Sequence, residues 1–309
     1  MRLGLRLGQW ITLAGITTMV LLYGLTNPDM LVESARPEPV LLGMPELPAS
    51  PMVASDSAQP TLSAQAALAL DTNSGSELFE KNADTQLPPA SSLKLLTALT
   101  ARELFTPDEV ASISAYGIAD TNQSLHAGLS LTVEELLAAL LIESNNTAAY
   151  ALANHDKDGY SHFIDSMNAL ANRLGLDATR AYNPAGFDDS LSRSSAHDLA
   201  LLLRTVMLDP LLRSLVTSSR RQLSAADGRI VGELFNTNAL LTTDARFFAG
   251  KTGTTDEAGQ VLVSIAAIEG HPVVLVLMGS SDRYGEMRLL ADWLEGRYTW
   301  VAPDLGESW

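Results

Sequence analysis

Two serine–lysine and serine–asparagine spacings in this chain could support acyl transfer. The first is Ser91-Ser92-Leu93-Lys94, directly after Pro88-Pro89-Ala90. The paired prolines stop a helix from entering from upstream, and Leu93, Leu95, Leu96, Ala98, Leu99 and Ala101 form a broad apolar stripe, so a helix is expected to start near Ser91. Three residues apart, Ser91 and Lys94 then share one helix face. A buried amine at a helix N-terminus loses proton affinity, because burial and the positive end of the helix dipole both disfavour the ammonium. Neutral Lys94 could take the Ser91 proton and make the hydroxyl a nucleophile. The spacing is weak alone, yet Lys94 is the only one of four lysines (Lys81, Lys94, Lys157, Lys251) with a serine three positions before it.

Two further motifs follow. Ser144-Asn145-Asn146 begins 53 residues after Ser91, at the end of the apolar helical run 136–142, where polar side chains can project into a cleft. Ser166-Met167-Asn168 has the same pattern, but it sits mid-helix between Phe163 and Leu170 and reads as solvated or capping. Lys251-Thr252-Gly253-Thr254 begins 107 residues after Ser144 and occurs once. Ser-x-x-Lys, Ser-x-Asn and Lys-Thr-Gly in this order form the signature of penicillin-binding proteins and class A β-lactamases.

The elements that must position these motifs can be read from periodicity. Short strands are expected at 66–70 and 77–80 around the turn Asp71-Thr72-Asn73-Ser74-Gly75, then the serine helix, then helices at 132–142, 147–153, 162–174 and 197–205. Strands follow at 229–235, 260–268 and 272–278, and a closing amphipathic helix at 285–298. The expected fold is α+β: an antiparallel sheet flanked by helices, with a helical subdomain inserted between its halves.

The chain has 309 residues, 46% hydrophobic and 18% charged, enough for a sizeable core in one or two domains. Its net charge of −16 with scattered basic residues argues against nucleic-acid binding. With no cysteine, disulfides, thiolate catalysis and cysteine-ligated zinc are excluded. Arg2 and Arg6 precede an uncharged run over 7–28, followed by Asp29 and Glu33, so residues 1–28 read as a signal peptide or signal anchor with the bulk of the chain outside. No Ala-x-Ala follows the run, which favours an uncleaved anchor. Residues 29–60 hold seven of the 14 prolines, counting Pro28 at their edge, and read as an unpacked tether. The catalytic domain is expected over 61–300, with a tail over 301–309.

From about residue 66 to 279 the sequence resembles the low-molecular-mass penicillin-binding proteins that are D-alanyl-D-alanine carboxypeptidases. Beyond the three motifs, the resemblance rests on Glu80-Lys81-Asn82-Ala83-Asp84, Asn183-Pro184-Ala185-Gly186-Phe187, Ser194-Ser195-Ala196-His197-Asp198-Leu199, Asn236-Thr237-Asn238-Ala239-Leu240-Leu241 and Gly250-Lys251-Thr252-Gly253-Thr254-Thr255 with Ala258-Gly259. One departure is Asn145, where the family usually has glycine. Another is the C-terminus, where many members continue into a β-rich domain with a membrane anchor, leaving anchoring here to the N-terminal segment.

The resemblance implies that Ser91 attacks the penultimate D-alanine of peptidoglycan stem peptides, with Lys94 as base and Ser144, held near Lys251, relaying a proton to the leaving amine. Asn146 would bind the substrate backbone, and Lys251, Thr252, Gly253 and Thr254 the substrate end, the backbone N–H groups of Ser91 and Thr254 forming an oxyanion hole. β-Lactams would be covalent inhibitors, and no metal or organic cofactor is required. A noncatalytic wall-binding module is opposed by the intact Ser91 and Lys94. A class A β-lactamase needs a deacylating glutamate between the second and third motifs, and none occurs from Ser144 to Gly232. A DD-endopeptidase would share the whole constellation. A P-loop protein would use Gly250-Lys251-Thr252, but its first glycine would fall at Ala245. The five histidines form no metal-binding His-Glu-x-x-His and read as ordinary polar or capping residues.

Overall fold

The computed structural model describes residues 49–114, 125–188 and 191–302, so the expected N-terminal anchor lies outside the described residues. Strands β1 (Ser50–Val53), β2 (Ala66–Asp71) and β3 (Glu77–Lys81) lead to a 3₁₀ turn at Ala90–Leu93 and helix α1 (Lys94–Leu104). After β4 (Val110–Ser112) and β5 (Ser130–Thr132) come helices α2 (Val133–Leu141), α3 (Asn146–His155), α4 (Tyr160–Arg173), α5 (Ala196–Val206) and α6 (Pro210–Val216). The chain then forms β6 (Arg220–Ser224), β7 (Ile230–Phe235), α7 (Leu240–Thr243), β8 (Phe247–Thr255), β9 (Gly259–Ile268), β10 (His271–Ser280), α8 (Arg283–Arg297) and β11 (Tyr298–Val301).

The central sheet runs β3-β2-β10-β9-β8, antiparallel throughout. Its halves come from opposite ends of the domain and meet where β2 pairs with β10, with the helices from α1 to α6 inserted between them. This is the α+β arrangement expected from the sequence. Alternate strand residues point to opposite faces. Leu68, Val263 and Val276 join the helical core of α1, α2 and α5, whereas Ala69, Leu262 and Leu275 join Met287, Leu290, Ala291 and Leu294 of α8. Because both faces are covered, β9 and β10 read as continuous apolar runs rather than as alternating strands.

The turn after β2 behaves as its composition indicates: the Asp71 carboxylate accepts from Ser74 N at 2.6 Å, and Gly75 takes φ +73°. The tether expectation fails at its C-terminal part. Ser50–Val53 pair antiparallel with Tyr298–Val301, so packing reaches into 29–60 at that strand, and the expected tail begins inside β11. A four-residue strand beside prolines carries too little periodicity to show, and its partner lies at the far end of the chain.

Candidate active site

Ser91 lies in the 3₁₀ turn and Lys94 opens α1, so the helix starts as a tight turn rather than with Ser91 inside the α-helix. Ala90 just before it has φ +48°, a left-handed conformation unusual for alanine. Two glycines make room for the turn. A Cβ at Gly186 would lie 1.9 Å from Ala90 O, and one at Gly253 would lie 2.8 Å from Ser91 N. Only glycine lets the loop containing Ala185 and strand β8 close on the nucleophile from two sides.

Lys94 Nζ is 2.6 Å from Ser91 Oγ and 2.7 Å from Asn146 Oδ1. The side chain is fully buried, and burial, followed by the charge of Lys251, holds its pKa well below the usual lysine range. As a neutral amine it can donate to Asn146 Oδ1 while accepting the Ser91 hydroxyl proton, which is the geometry of a general base.

Ser144 follows α2 with φ +61°. Its Oγ accepts from Lys251 Nζ at 2.7 Å, and the same ammonium donates to Thr252 O at 2.9 Å. Burial, then the charge of Arg283, lowers the Lys251 pKa to about 7. Asn145, in place of the expected glycine, is buried and caps α3: its Oδ1 accepts from Ala148 N at 3.0 Å and its Nδ2 donates to Glu143 Oε2 at 2.9 Å. The departure therefore fixes the helix start that carries Asn146.

Strand β8 is the sheet edge and presents Thr252, Gly253 and Thr254 to a cleft of about 300 Å³ also lined by Ser91, Glu143, Ser144, Asn146, Thr237 and Arg283. The structure thus brings together Ser91, Lys94, Ser144, Asn146, Lys251, Thr252, Gly253 and Thr254, drawn from three separate stretches of chain. Three further residues escape sequence reasoning. Arg283, at the start of α8, donates to Gly253 O and to Thr254 Oγ1, each at 2.7 Å. Thr237 Oγ1 is 2.6 Å from Thr252 Oγ1, and Glu143 lies at the cleft rim. Only Thr237 had a signal, as part of Asn236-Thr237-Asn238; an isolated arginine before a helix has none. Ser166-Met167-Asn168 lies away from the cleft. Asn168 is buried, not solvated, its amide donating to Ile164 O and Ala181 O and accepting from Ala181 N.

The profile of the D-alanyl-D-alanine carboxypeptidase family matches residues 53–282. The chain belongs to that family. A D-alanyl-D-alanine endopeptidase of Pseudomonas aeruginosa is 32% identical over 263 residues, covering 81% of this chain and 83% of the relative. A D-alanyl-D-alanine carboxypeptidase of Mycobacterium tuberculosis is 30% identical, covering 74% and 81%. The crystal structure of the Streptomyces K15 DD-transpeptidase superposes with a TM-score of 0.72 at 26% identity, over 78% of this chain and the whole of that one. As a member of the D-alanyl-D-alanine carboxypeptidase family the chain is a serine-type hydrolase of the penicillin-binding fold. Gly250-Lys251-Thr252, the segment that resembles a phosphate-binding loop, lies inside strand β8 and is followed by strand β9, not by the helix N-terminus that phosphate binding requires.

Proposed function

We propose that this protein is a D-Ala-D-Ala carboxypeptidase of peptidoglycan stem peptides that works through a Ser91 acyl-enzyme. The observation that carries the reading is the buried Lys94 amine 2.6 Å from Ser91 Oγ, with its proton affinity lowered. Ser91 Oγ attacks the carbonyl of the penultimate D-alanine as Lys94 takes its proton. The oxyanion is held by the Ser91 and Thr254 N–H groups, each such donor contributing about 3 kcal/mol in comparable enzymes. Ser144, backed by Lys251, passes a proton to the leaving amine, and D-alanine departs. Water then hydrolyses the ester. The terminal carboxylate is received by Lys251, Thr252 and Thr254, and Arg283 adds a second cation beside them. Asn146 serves two partners, fixing Lys94 and hydrogen-bonding the substrate backbone.

β-Lactams react with the same serine. With no glutamate between Ser144 and Gly232 to activate a deacylating water, the adduct persists. Arg2 and Arg6 before the uncharged run 7–28 support anchoring of the chain through its N-terminus, with residues 61–300 acting on the outer side of the membrane. A second reading, cleavage within cross-linked peptides, is favoured by the 32% identity to an endopeptidase matched over 83% of its length.

The test is to incubate the protein with a fluorescent penicillin and to locate the adduct by mass spectrometry. A persistent label on Ser91, absent in Ser91→Ala, is expected. Labelling at another residue, or rapid turnover with no lasting adduct, overturns the assignment.

A further inference from the structure

Away from the cleft, a second set of ligand-type side chains meets where α3 gives way to α4. Asp156, Asp158 and His162 each offer one oxygen or ring nitrogen, and these atoms all lie within 4.8 Å of one another. The backbone brings them together. Asp156 follows the last residue of α3, Gly159 takes φ +94°, and His162 stands in the first turn of α4. The Asp156 side chain is only 4% exposed, whereas Asp158 and His162 are about half open to solvent, at 51% and 46%.

The three side chains line a cavity of about 270 Å³ that His155, at the end of α3, and Glu109, just before β4, also border. His155 Nε2 lies 3.4 Å from Glu109 Oε2. Two imidazoles and three carboxylates therefore face one cavity against a single ammonium, that of Lys157, which is 87% exposed and pairs with Asp158 Oδ2 at 2.7 Å. So exposed a pair contributes little and gives way readily. The C-terminal end of α3, negative by its dipole, adds to the attraction for a cation.

The donor set selects the cation. Imidazole nitrogen with carboxylate oxygen suits zinc and its neighbours, whereas calcium and magnesium take oxygen throughout. Tetrahedral zinc with bonds near 2.1 Å sets its ligand atoms about 3.4 Å apart, a contraction of about 1 Å that the two half-exposed side chains can supply. Solvent on the open side can fill the fourth position. The place of the cavity in the fold gives the ion a purpose. Leu104 and Phe105, at the end of α1, border it too, and the Phe105 ring meets that of His155 edge-on with centroids 4.9 Å apart. Helices α1 and α3 thus run side by side, from the 2.7 Å contact of Lys94 with Asn146 at the cleft to this cavity about 15 Å away. We infer that Asp156, Asp158 and His162 bind a divalent transition-metal ion of the zinc class, which clamps the far ends of the two helices that carry Lys94 and Asn146. The ion takes no part in the chemistry at Ser91, so the inference does not depend on which peptide bond is cut.

The experiment uses the full chain, freed of metal by dialysis against a chelator, with zinc chloride as the probe. Calorimetric titration should show one ion per chain. Binding should be at least about a hundredfold weaker in His162→Ala and in Asp158→Asn, since the loss of even an outer-shell partner costs ten- to a hundredfold. His197→Ala, whose imidazole lies between Glu77 and Asp84, should bind as wild type does. At a hundredfold excess over its Kd, zinc should raise the melting midpoint of wild type by about 5 to 10 °C and leave that of His162→Ala unmoved. Persistent penicillin labelling of Ser91 checks that each variant is folded. No zinc uptake by wild type at millimolar metal would overturn the inference, as would uptake that both His162→Ala and Asp158→Asn retain, or uptake lost only in His197→Ala. Calcium binding as tightly as zinc would overturn the assignment of the metal class.

Discussion

The cleft contains two serine–lysine pairs of nearly equal length, Ser91–Lys94 at 2.6 Å and Ser144–Lys251 at 2.7 Å, and they are built in opposite ways. The first is local, three residues on one helical turn. The second joins the end of α2 to a sheet edge 107 residues later. Both lysines are buried and both lose proton affinity, but the neighbours differ. Burial is the larger cause for both; beside it, the charge of Arg283 lowers Lys251 and that of Lys251 lowers Lys94. The guanidinium keeps its charge beside Lys251, and the charge of Lys251 in turn disfavours the ammonium of Lys94. One amine becomes a base and the other remains near its titration point, able to anchor an anion and hold a hydroxyl. The lesson is that the residue pair does not determine the role. Burial, together with the cation that neighbours each lysine, does.

The comparison breaks most sharply at Lys94. Lys94→Arg keeps a positive charge and the helix start but cannot release a proton near neutral pH. Acylation by a fluorescent penicillin should fall about a thousandfold or more, within the range that general-base catalysis supplies. The fold should remain, as checked by an unchanged circular dichroism spectrum and cooperative melting. A rate close to wild type would make Lys94 a structural cation and leave the base to be found elsewhere.

A smaller loss should come from the glycine that seats the nucleophile. Gly186→Ala places a methyl group 1.9 Å from Ala90 O at a residue with φ +77°, so the loop must withdraw from Ser91. Displacement of catalytic groups by about 1 Å costs roughly a hundredfold in rate. Stopped-flow acylation should show this loss, whereas Gly232→Ala, whose added Cβ meets nothing within 4 Å, should acylate as wild type does.

The Lys251 side of the comparison is sharpened by substrate choice. Peptides ending in a free D-Ala-D-Ala carboxylate should release D-alanine at least about tenfold faster than amidated peptides, since a charge-assisted hydrogen bond contributes roughly 1.5 to 3 kcal/mol. Thr252→Val and Arg283→Gln should each narrow that gap. Equal rates for acid and amide in the wild type would favour endopeptidase cleavage within peptides.

Legibility followed the same division. Ser91 and Lys94 could be paired from sequence because helix geometry converts a spacing of three into contact. Helices α2 to α5 and strands β2, β3, β9 and β10 showed through periodicity or apolar runs. Lys251 was visible only as a motif. That its ammonium meets Ser144 depends on β8 pairing with β9 and on the turn at Ser144, both tertiary facts. Arg283 was illegible, and Gly186 and Gly253 were visible only as parts of motifs, because their seating of the nucleophile arises from close approach of segments far apart in the chain. The β1–β11 ribbon was missed for the same reason. Asn145 looked like a defect in a motif, whereas the structure makes it the cap of α3.

The smallest expected effect is also the most specific to the Lys251 charge. Lys251 titrates at about 7, so as pH rises through that value its ammonium is lost and a free carboxylate loses its charge-assisted partner, while Arg283 stays charged. The remaining neutral hydrogen bond is weaker by about 1 kcal/mol, so KM for the free acid should rise about fivefold above neutral pH. The amidated peptide has no carboxylate to bind and should show no such rise. Lys94 acts in the opposite sense. Its amine must be unprotonated to accept the Ser91 proton, so on the acid side kcat/KM should increase with pH for acid and amide alike. The free acid should therefore give a profile that climbs and then declines, and the amide one that climbs and levels. A decline in both would mean that the Lys251 proton is needed in the chemistry, for the Ser144 relay, rather than for holding the carboxylate.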